Sequence, residues 1–169
     1  DRWIFIQSSD ALEDGMPYTI YRAIVLPRWM VRELLPESAS SRQATSTAVE
    51  TLLHERIHVL QKTYPKRFAK LYDRWGCVRV DEHPHVYRLH TERIYRTNPD
   101  TPSKWAYSRG GTLWYPFVEL HSPSLTDTTY HLVDVGSSWW TTQWHKMNAV
   151  KWHETYFGGH AHCYHPDET

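Results

Sequence analysis

Two histidines and a glutamate lie close together in one short segment, His54-Glu55-Arg56-Ile57-His58. On a helix, residues four positions apart lie about 40° apart around the axis and roughly 6 Å along it, so one face presents both imidazoles. Each imidazole can then direct a nitrogen at one tetrahedral metal ion, at about 2.0–2.1 Å. Glu55 is turned about 100° from His54, which suits proton transfer with a water molecule better than binding the ion. The segment therefore predicts a metal site on a helix.

A helix from about Thr45 to Gln61 is predicted to carry this segment. Its apolar residues recur at spacings of three and four, which predicts one buried face formed by Val49, Leu52, Leu53, Ile57 and Leu60. The two histidines lie at the edge of this face, where we expect the floor of a cleft. Arg56 falls inside the apolar arc, so we expect its guanidinium to need a buried carboxylate or carbonyl partner.

The remaining segments predict an α+β fold around that helix. Pro65 suits the first turn of a second helix from Thr63 to Trp75, and Gly76 suits the position after its end. Segments rich in β-branched and aromatic residues predict strands at Trp3–Ile6, at Tyr18–Leu26, in a hairpin from Trp105 to Val118 around Gly110-Gly111, and at Tyr130–Val135. We expect a small mixed sheet packed on the helix of His54 and His58, with the hairpin as an insertion.

The motif His54-Glu55-x-x-His58 matches the pattern H-E-x-x-H, and the strand at Tyr18–Leu26 and a Ser/Thr-rich loop come before it. In these features the chain resembles the zincin metallopeptidases, in which an edge strand precedes the active-site helix. The resemblance implies a single zincin-like domain over residues 1–169. It also implies a Zn²⁺ cofactor and a peptide or protein substrate, hydrolysed by a zinc-activated water with Glu55 as the general base.

A catalytic zinc site takes three protein ligands and keeps a fourth position open. The residues after His58 depart from the metzincin pattern, and the chain is more similar to the gluzincins, in which a later helix supplies a glutamate. His165-Pro166-Asp167-Glu168 has the proline and acids of a helix start. Glu168 is therefore the first choice for the third ligand, and we expect the natural protein to continue beyond Thr169. The alternatives are His165, Glu92, Glu82 and Glu154.

Zincin-type hydrolysis also needs a donor that stabilises negative charge on the former carbonyl oxygen. The candidates in the tail are Tyr164, His160 and His162. Together with His165, the two tail histidines form a tract that is able to bind a second metal ion. We favour the simpler interpretation, in which these histidines face solvent.

Composition narrows the classes of partner. Lys plus Arg equals Asp plus Glu at 19 each, which argues against a broad nucleic-acid surface or a polybasic membrane patch. No apolar run approaches the roughly 18 residues that a membrane helix needs. The two cysteines, Cys77 and Cys163, allow either one disulfide or two thiols, so the compartment stays open, as does the oligomeric state.

Two other functions remain open. The chain could be a catalytically silent zincin-like pseudoenzyme that serves as a structural or interaction subunit, but the intact His54, Glu55 and His58 favour an enzyme. It could also be a binding module in which tryptophans line a groove for peptide or sugar. The tryptophans in question are Trp139, Trp140, Trp144 and Trp152, for which core packing is the favoured role.

Overall fold

The structure is a computed structural model that describes residues 2–35, 46–80, 95–96, 100, 104–122, 124, 127–135 and 146–157. These residues form four α-helices and nine strands in two sheets, so the chain has the predicted α+β architecture. The chain divides into two compact units. The first unit consists of Asp1–Pro65 and Pro99–Thr101, and the second consists of Lys66–Asn98 and Pro102–Thr169.

The first unit is built on a three-stranded sheet of β1 (Phe5–Ser8), β2 (Tyr18–Ile20) and β3 (Ala23–Pro27). The central strand is β3, which pairs in parallel with β1 and antiparallel with β2. A short 3-10 helix at Leu12–Gly15 lies between β1 and β2 in sequence. Every residue of β3 is buried, which explains its continuous apolar run.

The prediction of one strand over Tyr18–Leu26 is wrong, because a two-residue turn splits the segment. Ile20 pairs with Ala23, so Tyr21 and Arg22 form the turn of a β2–β3 hairpin. Tyr21 has a φ of 51°, in the left-handed region that residues other than glycine seldom adopt. The turn has neither the glycine nor the asparagine that usually marks such hairpins, so the sequence pattern gave no sign of it.

Two helices cover this sheet: α1 (Arg28–Leu34) and α2 (Ser46–Thr63). The second of them contains His54, Glu55 and His58 and contacts both β2 and β3, while α1 contacts β1, β3 and α2. The buried residues at their junction form the core of the unit and are Ile24, Leu26, Met30, Ala48 and Val59.

The face of α2 that is buried differs from the predicted one. Val49, Leu53 and Ile57 are 45%, 55% and 49% exposed, whereas Val59 and His58 are only 3% and 1% exposed. The helix is therefore rotated relative to the prediction: of the predicted residues, Leu52 packs against the core of the unit, whereas Val49, Leu53 and Ile57 do not. Local apolar spacing does not decide this choice, because it depends on which face fits the tertiary contacts with β2 and β3.

Arg56 is half-buried at the margin of that face. Its guanidinium carbon lies 5.1 Å from the centroid of the Trp3 ring, a cation–π contact, and not in the enclosed apolar setting that the pattern predicted. An aromatic face stabilises the cation without removing it from water. The predicted carboxylate or carbonyl partner of Arg56 stays a prediction.

The second unit contains most of α3 (Pro65–Arg74), a six-stranded sheet and α4 (Ala149–Phe157). The strands are β4 (Cys77–Arg79), β5 (Tyr95–Arg96), β6 (Trp105–Arg109), β7 (Thr112–Leu120), β8 (Thr128–Asp134) and β9 (Lys146–Asn148). Their order is β4-β6-β7-β8-β9, and β5 also pairs with β7. No helix in the described ranges is long and apolar enough to span a membrane.

Several elements of the second unit match the sequence predictions. The helix α3 starts at Pro65, and Gly76 follows it with a φ of 74°. Gly110 and Gly111 have φ values of 60° and 80° and join β6 to β7, as predicted for this hairpin. Two clusters of buried residues form the core around the sheet. Cys77 is a thiol within one of these clusters, and Cys163 lies outside the described residues.

The observed burial of α2 predicts that a valine-to-alanine substitution affects stability differently at two positions of the helix. Val59→Ala should lower the free energy of unfolding by about 2 kcal/mol, because it leaves a cavity against the sheet. Val49→Ala makes the same chemical change at an exposed position, so it should stay within about 0.5 kcal/mol of wild type. Urea unfolding followed by circular dichroism measures both. A larger loss at Val49 would support the face predicted from the sequence instead.

Candidate metal centre

The side chains of the two motif histidines approach each other on one side of α2. Their Nε2 atoms lie 3.0 Å apart, and the rings meet edge to face with an angle of 86° between their planes. Two nitrogens bound to one tetrahedral ion at about 2.0–2.1 Å are roughly 3.3 Å apart. A movement of a few tenths of an ångström would thus let His54 and His58 occupy two corners of a zinc site.

Gln61 fixes the orientation of the His58 ring. Both residues are buried, and the Nδ1 atom of His58 lies 2.7 Å from the Oε1 atom of Gln61. An amide oxygen only accepts hydrogen bonds, so Nδ1 carries the proton and donates it. In the neutral ring, Nε2 is then left with a lone pair directed towards His54. A metal-bound histidine commonly donates its other ring N–H in this way.

Asp100 is the charged group that acts on His54. Partial burial lowers the pKa of His54 below its ordinary value of 6.5, and the negative charge of Asp100 opposes this effect by raising it. The burial effect is the larger, so the pKa stays below 6.5 and the neutral form of His54 is favoured at pH 7. The neutral imidazole is the form that binds a metal ion.

The edge strand β2 holds Asp100 in place. The Oδ1 atom of Asp100 accepts hydrogen bonds from the backbone N–H of Thr19 at 2.6 Å and from the Thr19 hydroxyl at 3.2 Å. The Nζ atom of Lys62 donates to the backbone carbonyl of Thr19 at 2.8 Å. One residue of β2 is therefore bonded both to the acid near His54 and to the helix that carries the motif.

Glu55 lies on the buried side of α2. It is 3% exposed, and its Oε2 atom is fully shielded from solvent. Since His54 lies at the exposed edge of the helix and His58 is buried, the three motif side chains run from the surface into the interior. Burial strengthens the hydrogen bonds and charge interactions of the Glu55 carboxylate relative to those in water.

A third ligand is not found among the residues that the structure describes. Within them, no three or more side chains of the His, Cys, Asp or Glu type come together as a metal-binding group. The predicted ligand Glu168 and three alternatives, His165, Glu92 and Glu82, lie outside those residues, as do Tyr164, His160 and His162. Glu154 is exposed on α4. The third ligand and the oxyanion donor stay predictions.

Gln61 and Asp100 are the residues that the sequence analysis missed. Gln61 follows His58 by one helical turn, so the three-residue spacing was a usable signal. Asp100 lies far along the chain in the segment Asn98-Pro-Asp-Thr-Pro102, which predicts only a loop. Its position beside Thr19 depends on tertiary packing that no local pattern reveals.

Two other histidines have partners within the sheet of the second unit. His131 Nε2 lies 2.8 Å from a carboxylate oxygen of Glu119, and its ring stacks on Phe117. His121 Nε2 lies 2.7 Å from the hydroxyl of Thr129. Both are cross-strand contacts between neighbouring strands or their ends, of the kind that stabilises a sheet.

No family model, no curated protein and no solved structure matches this chain. The residues that define the site are therefore known from this chain alone. Those residues are the converging pair of His54 and His58, the ring-orienting Gln61, the buried Glu55 and the nearby Asp100.

The placement of Asp100 predicts a measurable change in the titration of His54. Asp100→Asn removes the charge that raises the pKa of His54, so that pKa should fall further below 6.5 in the metal-free protein. The ring should then stay neutral to a lower pH than in wild type. Nuclear magnetic resonance titration of the imidazole protons measures this shift. Asp127→Asn, at an exposed loop position of the second unit, is the control and should leave His54 unchanged. A rise in the His54 pKa of Asp100→Asn would contradict the assignment.

Proposed function

We propose that this protein is a zinc-dependent metallopeptidase of the zincin type. The observation that carries the proposal is the 3.0 Å approach of the His54 and His58 Nε2 atoms on α2, with Glu55 between them in sequence. The order of residues follows H-E-x-x-H, and His58 donates its other ring N–H to Gln61, as metal-bound histidines usually do to a neighbouring acceptor.

His54 and His58 would hold the zinc through Nε2, with Glu168 proposed as the third ligand in a gluzincin-like arrangement. When bound, zinc would supply a Lewis acid that polarises the substrate carbonyl and lowers the pKa of a water molecule. Gln61 keeps the Nε2 lone pair of His58 available, and the lowered pKa of His54 keeps its ring neutral. The chain's own residues thus prepare both imidazoles to act as ligands.

Glu55 would carry the proton during peptide hydrolysis. Its carboxylate accepts a proton from the water that attacks the carbonyl carbon, and the resulting carboxylic acid donates that proton to the leaving nitrogen. One bond to carbon forms and the C–N bond breaks, so the proton count balances and Glu55 returns to its ionised form. General base catalysis of this kind typically contributes about 10²–10⁴-fold in rate.

The same observations weigh on the alternatives. A pseudoenzyme that keeps its metal has no need for a base, so the buried Glu55 favours an enzyme. The binding module loses one of its proposed groove residues, because Trp152 is 6% exposed and packs against Tyr107 at 4.7 Å between ring centroids. The other three tryptophans of that hypothesis lie outside the described residues.

Glu55→Gln separates catalysis from metal binding. The amide keeps the size of the side chain but cannot act as the base, so hydrolysis of a peptide library should fall by at least about 10²-fold. Zinc content, measured by elemental analysis, should stay at the wild-type level. Glu50→Gln makes the same change at an exposed position of α2 and should preserve both activity and zinc.

Two outcomes would count against the proposed function in different ways. Loss of zinc from Glu55→Gln would make Glu55 a ligand or a support for one, and the assigned base would be wrong. A wild-type protein that holds zinc but hydrolyses neither peptides nor esters would favour the pseudoenzyme.

A further inference from the structure

A small cavity on the first unit is surrounded by three arginines. Its volume is about 160 Å³, and the guanidinium-bearing residues that line it are Arg2, Arg22 and Arg56. They come from three separate places: the segment before β1, the turn of the β2–β3 hairpin, and α2. The other lining residues are Ile4, Val59, Leu60 and Thr63, so no acidic residue of the described chain lines the cavity.

Three guanidinium groups around one small space create a positive potential that attracts anions. Arg56 is held beside the cavity by Trp3, with 5.1 Å between the guanidinium carbon and the ring centroid. Arg22 belongs to a turn whose first residue, Tyr21, has a φ of 51°. A non-glycine residue in that conformation is strained, and such strain is typical of functional segments.

We propose that this cavity binds a phosphate group, either as inorganic phosphate or as a small phosphate monoester. A guanidinium forms two parallel hydrogen bonds to an oxyanion, and the several oxygens of phosphate can serve three such groups. A carboxylate, with two oxygens, matches fewer. The cavity volume of about 160 Å³ is well above the roughly 10–15 Å³ that one water molecule needs on the same measure, so the five non-hydrogen atoms of phosphate fit.

The cavity and the metal centre lie on opposite sides of α2. Each residue turns the helix by about 100° around its axis. On that basis, Arg56 and Leu60 face a direction roughly 160° away from the direction that His54 and His58 face. A phosphate in the cavity therefore does not occupy the side of the helix that carries the proposed chemistry. The two sites can be tested separately.

The direct test is isothermal titration calorimetry of the wild-type protein with inorganic phosphate, at constant ionic strength and with acetate as the comparison anion. We expect saturable binding of one phosphate per chain and much weaker binding of acetate. Arg22→Gln and Arg56→Gln should each weaken phosphate binding by about tenfold or more, because each removes a charge-assisted pair of hydrogen bonds. Arg28→Gln, at an exposed position of α1 that does not line the cavity, should bind as wild type.

Phenyl phosphate distinguishes the two sources of the phosphate group. Tighter binding than inorganic phosphate would assign a monoester whose apolar part contacts Ile4 and Leu60, and equal or weaker binding would assign the free ion. Wild-type binding of phosphate that Arg22→Gln leaves unchanged would overturn the proposal, as would binding no stronger than that of acetate. The zinc content of Arg22→Gln should equal that of wild type, so this result does not depend on the proposed function.

Discussion

The structure of the site depends on the burial of a polar face of α2 against the first sheet. That face carries Glu55, His58 and Gln61, and burying them requires partners within the protein. The His58–Gln61 hydrogen bond satisfies part of this need and at the same time fixes which ring nitrogen carries the proton. The approach of His58 Nε2 to His54 thus follows from the packing of the helix, since a helix packed by its Val49–Leu53 face would not enclose His58.

Thr19 extends this arrangement to the edge of the sheet. Its backbone N–H and carbonyl both point away from β3, and on an edge strand such groups have no hydrogen-bond partner in the sheet. Asp100 accepts from one and Lys62 donates to the other, so an acid from a distant part of the chain is placed where its charge acts on His54. The same contacts that close the edge of β2 also set the electrostatics of the metal centre.

The sequence contained the local parts of this fold but not their mutual placement. The helix predicted from about Thr45 to Gln61 is observed at Ser46–Thr63, because helical periodicity and the H-E-x-x-H spacing are local properties. The pair Gly110-Gly111 likewise predicted the hairpin between β6 and β7. The buried face of α2, the left-handed Tyr21 and the position of Asp100 were not predictable, since each is decided by contacts between distant segments. The third ligand stays a prediction because Glu168 lies outside the described residues.

Elemental analysis of zinc in the purified protein tests the central claim most directly. We expect about one zinc per chain in wild type and none in His58→Ala, which removes a ligand from the converging pair. His121→Ala, which removes a histidine bonded to Thr129 in the other unit, should keep full zinc. Full zinc in His58→Ala, or none in wild-type protein supplied with zinc, would contradict a metal centre on α2.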